Sequence, residues 1–172
     1  MLVAAANPCP CGYAGDPRRA CRCRLDRVET YRQKLSGPLL DRIDLRLRIP
    51  RLTKQELIGI GEGEPSDQVR ARVVRARERQ RARLAPLGFG SNAEVPGPVA
   101  RRDVHMTADA ERVLGDAVEA MHLTGRGFDR ALKVARTIAD LADADAVDRP
   151  HVAEALSYRH GADDSLEVRR AG

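Results

Sequence analysis

Apolar and polar positions recur along this chain with two different periods. Residues 43–49 alternate Ile43, Leu45, Leu47 and Ile49 with Asp44, Arg46 and Arg48, the period-two pattern of a half-buried strand, and Pro50 ends the run. Residues 2–6 are apolar throughout, which suits a strand buried on both faces in the middle of a parallel sheet. Between these two runs, residues 25–35 predict a helix leading into a turn at Ser36-Gly37-Pro38. Towards the other end the period lengthens. Ala110, Leu114, Ala117 and Met121 share one face of a helix over residues 107–121, and Phe128, Leu132, Ala135, Ile138 and Ala142 share one face over residues 126–142. Asp148, with Pro150 in the first turn, opens a third helix carrying Val152, Leu156 and Tyr158. The pattern therefore predicts an α/β front followed by a small all-α bundle.

Two segments interrupt these periods. Residues 59–66 contain Gly59, Gly61, Gly63 and Pro65 and read as a surface loop, while Gly88, Gly90, Pro96 and Gly97 make residues 86–98 read as a linker at a domain boundary. Charge divides the same way. Residues 1–56 carry 12 cations and 6 anions, residues 67–84 carry 7 and 2, and residues 101–172 carry 11 and 14, so the front is basic and the back acidic. Residues 67–84 form a basic helix whose arginines surround a narrow stripe of Val69, Val73, Ala76 and Leu84. Because the cations encircle it, a solvated helix docked by one stripe is favoured over a phosphate-binding face. No apolar run approaches the roughly 18 residues of a membrane span, and no signal-peptide pattern opens the chain, which gives a cytoplasmic reading. The aromatics are only Tyr13, Tyr31, Phe89, Phe128 and Tyr158, too scattered for a base-stacking platform.

All four cysteines fall within fifteen residues, as Cys9-Pro-Cys11 and Cys21-Arg-Cys23. Two close pairs across a short loop can bring four thiolates around one tetrahedral Zn2+, and four Cys ligands leave no open position for a catalytic water. Pro10, Gly12, Gly15 and Pro17 supply the turns, and Arg18, Arg19, Arg22 and Arg24 are placed to offset thiolate charge. Each pair has one intervening residue, tighter than the common two-to-four spacing, and an iron–sulfur centre or four unligated thiols are the alternatives. A disulfide pair does not suit a reducing compartment.

Longer motifs carry a family resemblance. Leu2-Val-Ala-Ala-Ala-Asn7-Pro-Cys-Pro-Cys-Gly12 and Tyr31-Arg-Gln-Lys-Leu-Ser-Gly-Pro-Leu-Leu-Asp-Arg42-Ile-Asp-Leu45 resemble the magnesium-chelatase-like AAA+ ATPases of the ComM/YifB type. Arg126-Gly-Phe-Asp-Arg130, Val134-Ala-Arg-Thr-Ile-Ala-Asp-Leu141 and His151-Val-Ala-Glu-Ala-Leu-Ser-Tyr-Arg159 resemble the same family's helical lid. The resemblance implies that residues 1–56 are the late part of an α/β AAA+ P-loop core with a Cys-rich insertion at 9–23. Residues 57–98 then hold the loop, basic helix and linker, 99–160 the all-α lid, and 161–172 a tail. It further implies ATP and Mg2+ as cofactors of the intact protein, a homo-oligomeric, hexameric ring, and DNA as the partner in branch migration or helicase action during recombination or natural transformation.

Residue by residue, Asn7 matches the polar sensor that orients the attacking water, and Arg42 matches the arginine finger reaching a neighbouring subunit's ATP. Arg126 matches the second sensor of the lid. Taken without the resemblance, Asn7 is a turn residue before Pro8, Arg42 an ion-pair partner of Asp41 or Asp44, and Arg126 a solvated first-turn residue with Arg130 and Arg136 as competitors. The chain departs from the family in having no Gly-Lys dipeptide and no apolar strand ending in Asp-Glu. Alone it is therefore expected neither to bind ATP well nor to hydrolyse it, as a C-terminal fragment starting at an internal Met1 would behave, with a front half less ordered than the helical back. A chelatase-like ATPase remodelling a protein, and a stand-alone zinc module binding nucleic acid, are the alternative functions.

Overall fold

A computed structural model describes residues 1–59 and 63–159, and the chain divides into two compact units. The expected tail at 161–172 and the last residue of the expected lid lie outside the described residues, as do positions 60–62 of the expected loop.

The first unit comprises Met1–Ile43 and Pro50–Leu52. It holds the cysteine loop, α1 (Leu25–Gln33) and α2 (Gly37–Leu40), the latter started by Pro38. Residues 2–6, expected as a buried central strand, are exposed and unpaired with any strand, Leu2 at 77% and Val3 at 82%. A strand's N–H and C=O groups need a neighbour. None runs beside this segment among the described residues, so the apolar run has the composition of a strand without its ladder.

The second unit comprises Asp44–Ile49 and the described residues from Thr53 onward. Its helices are α3 (Lys54–Ile58), α4 (Ser66–Leu84), α5 (Gly97–Asp103), α6 (Ala108–Ala120), α7 (Gly125–Leu141) and α8 (Arg149–Ser157), with a 3-10 turn at Ala85–Leu87 after α4. The expected α/β sheet is thus replaced by a mostly helical chain, in which the one β-pairing among the described residues is the isolated parallel bridge Met106–Val147. Residues 43–49, expected as a strand with its apolar face inward, are not in a strand. Leu45, Leu47 and Ile49 are 50, 67 and 84% exposed, and the polar positions between them make the contacts.

The helical period does hold. Thr107 caps α6 by accepting from Ala110 N at 3.2 Å, Thr124 caps α7 by accepting from Gly127 N at 3.0 Å, and Asp148 opens α8 with a capping box closed by His151. Thr107 also donates to the Asp148 carboxylate at 2.8 Å, joining the starts of α6 and α8. Leu114, Leu132, Ala135, Ala139, Val147 and Val152 are almost fully buried where α8 meets α7 and α6. Burying each Leu or Val side chain contributes about 1.5–3 kcal/mol.

Residues 86–98, expected as a linker, are instead docked onto α7. Val95 is buried, Lys133 donates to the carbonyl of Val95 at 3.0 Å, and buried Asn92 donates to Thr137 at 3.0 Å and to Asp140 at 2.8 Å. The Gly and Pro content shapes tight turns there without making the segment loose. At the centre of this contact Asp140, with no solvent exposure, accepts from Arg83 of α4 at 2.7 and 2.9 Å and from Arg136 Nε at 3.1 Å. Arg136 spends its remaining donors on the carbonyls of Asp145 (2.7 Å) and Ala144 (2.6 Å).

Candidate functional site

The four cysteines come together. Cys9 and Cys11 lie 3.4 Å apart at their sulfurs, Cys9–Cys21 and Cys11–Cys21 are each 3.6 Å, and all four Sγ atoms, including that of Cys23, fall within 4.8 Å of one another. A tetrahedron with Zn–S bonds of about 2.3 Å has S–S edges of about 3.8 Å, so the three edges among Cys9, Cys11 and Cys21 are within a few tenths of an ångström of what that ion demands, and closing the cage around it draws Cys23 in by up to about 1 Å. The backbone makes this possible. Gly12 and Gly15 sit at φ +80° and +77°, a region closed to most side chains, and the Gly12 N–H returns to the Cys9 carbonyl at 2.9 Å.

Thiolate charge is met by backbone N–H groups more than by arginines. Ala14 N donates to Cys9 Sγ at 3.3 Å and Cys23 N to Cys21 Sγ at 3.4 Å. Of the arginines expected to flank the cage, Arg19 stacks 4.0 Å from the Tyr13 ring centre and donates to its hydroxyl, and Arg24 pairs with Asp26. The N–H groups of Tyr13 and Arg22 draw the Cys11 thiol down to about 6. The Cys23 N–H also favours ionisation of Cys21, but lost hydration and hydrogen bonding to Cys11 and Cys9 outweigh it and push that thiol up to about 12. Hydrogen bonding to Cys11, followed by lost hydration, likewise raises Cys23. Four sulfurs this close ionise together only when a cation joins them.

Asn7 is exposed and lies against the cysteine loop, where a Cβ on Gly12 would come within 3.9 Å of its amide. Arg42 is exposed in the turn after α2, its N–H bonded to the Leu39 carbonyl at 2.9 Å. Asp44, one of the two carboxylates expected to hold Arg42, is engaged by Arg130 of α7. Arg126 is exposed at the second position of α7, in a first turn that contains no acidic residue. Both of its expected competitors are occupied, Arg130 with Asp44 and Arg136 inside the Asp140 network. A cation at a helix N-terminus opposes the macrodipole at a cost of about 0.3–1 kcal/mol, so Arg126 stands where stability alone disfavours it.

The basic helix is docked in a way the composition did not reveal. Arg75, Arg79 and Arg83 recur every four residues and face Asp143 (3.8 Å), Asp145 (2.7 Å) and Asp140 (2.7 Å). The buried stripe is Ala76, Gln80 and Leu84, whereas Val73 is 44% exposed. The cations of α4 thus meet acidic residues of the back part along one helix face. Arg70 and Arg81 remain exposed.

Family models cover both halves of the chain: magnesium chelatase, subunit ChlI, matches residues 1–57, and magnesium chelatase, subunit ChlI C-terminal, matches residues 63–159. An uncharacterized protein of Mycobacterium tuberculosis is 46% identical over 159 residues, 92% of this chain and 31% of its own length. Competence protein ComM of Haemophilus influenzae is 39% identical over 161 residues, and the uncharacterized protein YifB of Escherichia coli K12 is 40% identical over 162. Each covers 92% of this chain and 30% of the relative. The chain therefore spans less than a third of the length of these relatives.

Proposed function

This chain belongs to the family of magnesium chelatase subunit ChlI, and from that membership we propose that it is the sensor- and finger-bearing part of an AAA+ ATPase that acts on DNA. In the intact protein ATP and Mg2+ bind a nucleotide loop that this stretch does not contain, and the subunits assemble as a homo-oligomeric, hexameric ring. Arg42 reaches the neighbouring subunit's nucleotide and stabilises charge developing on the transferred phosphoryl group. Asn7 orients the attacking water, and Arg126 reports the nucleotide's state to the lid. The observation that carries this reading is the exposure of Arg42 and Arg126 while Arg130 and Arg136, further along α7, are committed to structural pairs. DNA is favoured as the partner because a relative matched over 92% of this chain is named as a competence protein.

No helix among the described residues is long and apolar enough to cross a membrane, and four free thiols suit a cytoplasmic, reducing setting. Cys9, Cys11, Cys21 and Cys23 hold a structural Zn2+, which supplies cross-linking of a loop that has little core of its own. Elemental analysis is expected to find one zinc per chain, and Cys9→Ser to abolish most of it. Stoichiometric iron with visible charge-transfer absorption would replace zinc with an iron–sulfur centre.

The functional test is a chimera in which this chain replaces the matching segment of ComM or YifB, in whichever host the unsubstituted form turns over ATP. Turnover that rises on adding branched DNA supports the reading. Turnover indifferent to every DNA structure contradicts it and favours a protein-remodelling ATPase. Arg126→Ala is expected to leave the melting temperature of this chain unchanged or slightly raised, since an unfavourable dipole contact is removed. In the chimera the same change weakens nucleotide affinity, measured by titration with a fluorescent ATP analogue.

A further inference from the structure

The segment Asp44–Ile49 meets the helices through the side that the alternating pattern assigns to solvent. Asp44 takes the guanidinium of Arg130 from α7. Two residues on, Arg46 donates its backbone N–H to the Tyr158 carbonyl at the end of α8, at 3.1 Å, and its half-buried side chain shares the Asp44 side of an extended chain. The apolar positions 45, 47 and 49 are exposed, and these polar contacts help to fasten the segment. An ion pair as exposed as Asp44, whose side chain is 61% accessible, contributes about 0–1 kcal/mol, too little for bulk stability to explain it. Its position is more informative. Asp44 is two residues after Arg42, and the chain passes from the first compact unit to the second between Ile43 and Asp44. Arg130 is one helical turn beyond Arg126, on the same face of α7.

We propose that Arg130 is a positioning residue for Arg42: through Asp44, two residues along the chain from Arg42, it holds the start of the following segment to the lid helix that carries Arg126. Movement of α7 in response to nucleotide at Arg126 is passed to Asp44 and so to the chain direction at Arg42. One subunit's nucleotide state thereby adjusts the finger it offers to the next subunit. This inference rests on the roles of Arg42 and Arg126 proposed above. It adds the physical link between them, a single charge pair with two partners that substitution can reverse.

Charge reversal tests it in two settings. In this chain, Arg130→Asp is expected to speed hydrogen exchange at the Arg46 amide by on the order of tenfold, and the double change Asp44→Arg with Arg130→Asp to restore it. In the active chimera each single reversal is expected to lower kcat by about tenfold with the KM for ATP within about twofold, the double reversal to recover most of that loss, and Arg130→Lys to keep most of the activity. Singles that leave kcat unchanged, a double no better than the singles, or an Arg46 amide indifferent to Arg130→Asp would each overturn the proposal. Arg130→Lys, which keeps the charge and the helix, separates loss of the pair from loss of folding. The Arg42→Ala chimera separates the two readings. If it turns over ATP normally, the finger assignment itself fails; if it is inactive while Arg130→Asp is fully active, only the positioning role fails.

Discussion

Replacing Arg42 by alanine in an active chimera is expected to lower ATP turnover by about 10³- to 10⁵-fold, the range over which arginine fingers act in phosphoryl transfer. The reason is electrostatic. The transferred phosphoryl group spreads negative charge over its equatorial oxygens, and a guanidinium placed beforehand in a water-poor site offsets it without reorganising at the moment of reaction. Arg42 meets what this requires: its side chain is exposed, and Asp44, one of the two carboxylates near it in sequence, is engaged by Arg130. Because the side chain is exposed, the melting temperature of the substituted chain should match the parent's. Lysine at this position should restore little, since a point charge lacks the planar fork that spans two phosphate oxygens.

The second large effect is on stability. Asp140→Ala is expected to cost about 3–5 kcal/mol, because it leaves Arg136 and the inner end of Arg83 without their carboxylate in a buried site. For a chain of this size that corresponds to a fall in melting temperature on the order of 10 °C. Burial alone would raise the Asp140 carboxyl, but the hydrogen bonds from Arg83 and Asn92, together with the charge of Arg136, outweigh it and hold the group below the usual carboxylate range. A carboxyl whose folded pKa lies below its unfolded value, near about 3.9, stabilises the fold fully above that value, and the stabilisation is lost as pH falls through the folded pKa. Denaturant midpoints measured from pH 6 downward should therefore drop through the acid range in the parent. In Asp140→Asn that dependence should be weaker.

The helical half was the more legible in the sequence because its code is local. The spacing of Ala110, Leu114 and Ala117, and of Leu132 and Ala135, names the buried faces of α6 and α7, and Asp148 with Pro150 names the start of α8. The cysteine cage was legible for the same reason, four rare residues in a short loop. What escaped is non-local. Nothing near Arg75, Arg79 and Arg83 reveals that Asp143, Asp145 and Asp140 will face them some sixty residues later. Residues 86–98 read as a linker because glycine and proline mark both slack linkers and tightly turned, docked segments; only the partners of Asn92 and Val95 on α7 distinguish the two. The alternation at 43–49 describes a strand that needs a neighbouring strand. Without one among the described residues, the polar contacts of Asp44 and Arg46 decide which side meets the helices. Two short helices, α3 and α5, carry too few residues for any period to show.

The most direct measurement is subunit complementation. One chimera retains Arg42 but has its nucleotide-loop lysine replaced; the other retains that loop but carries Arg42→Ala. Each is inactive alone, and the two are then mixed and assayed for ATP turnover. If Arg42 serves the neighbour's nucleotide, mixing restores turnover at the interfaces that pair an intact loop with an intact arginine. Turnover that stays at the sum of the two inactive parents, in rings shown to contain both subunits, would contradict it.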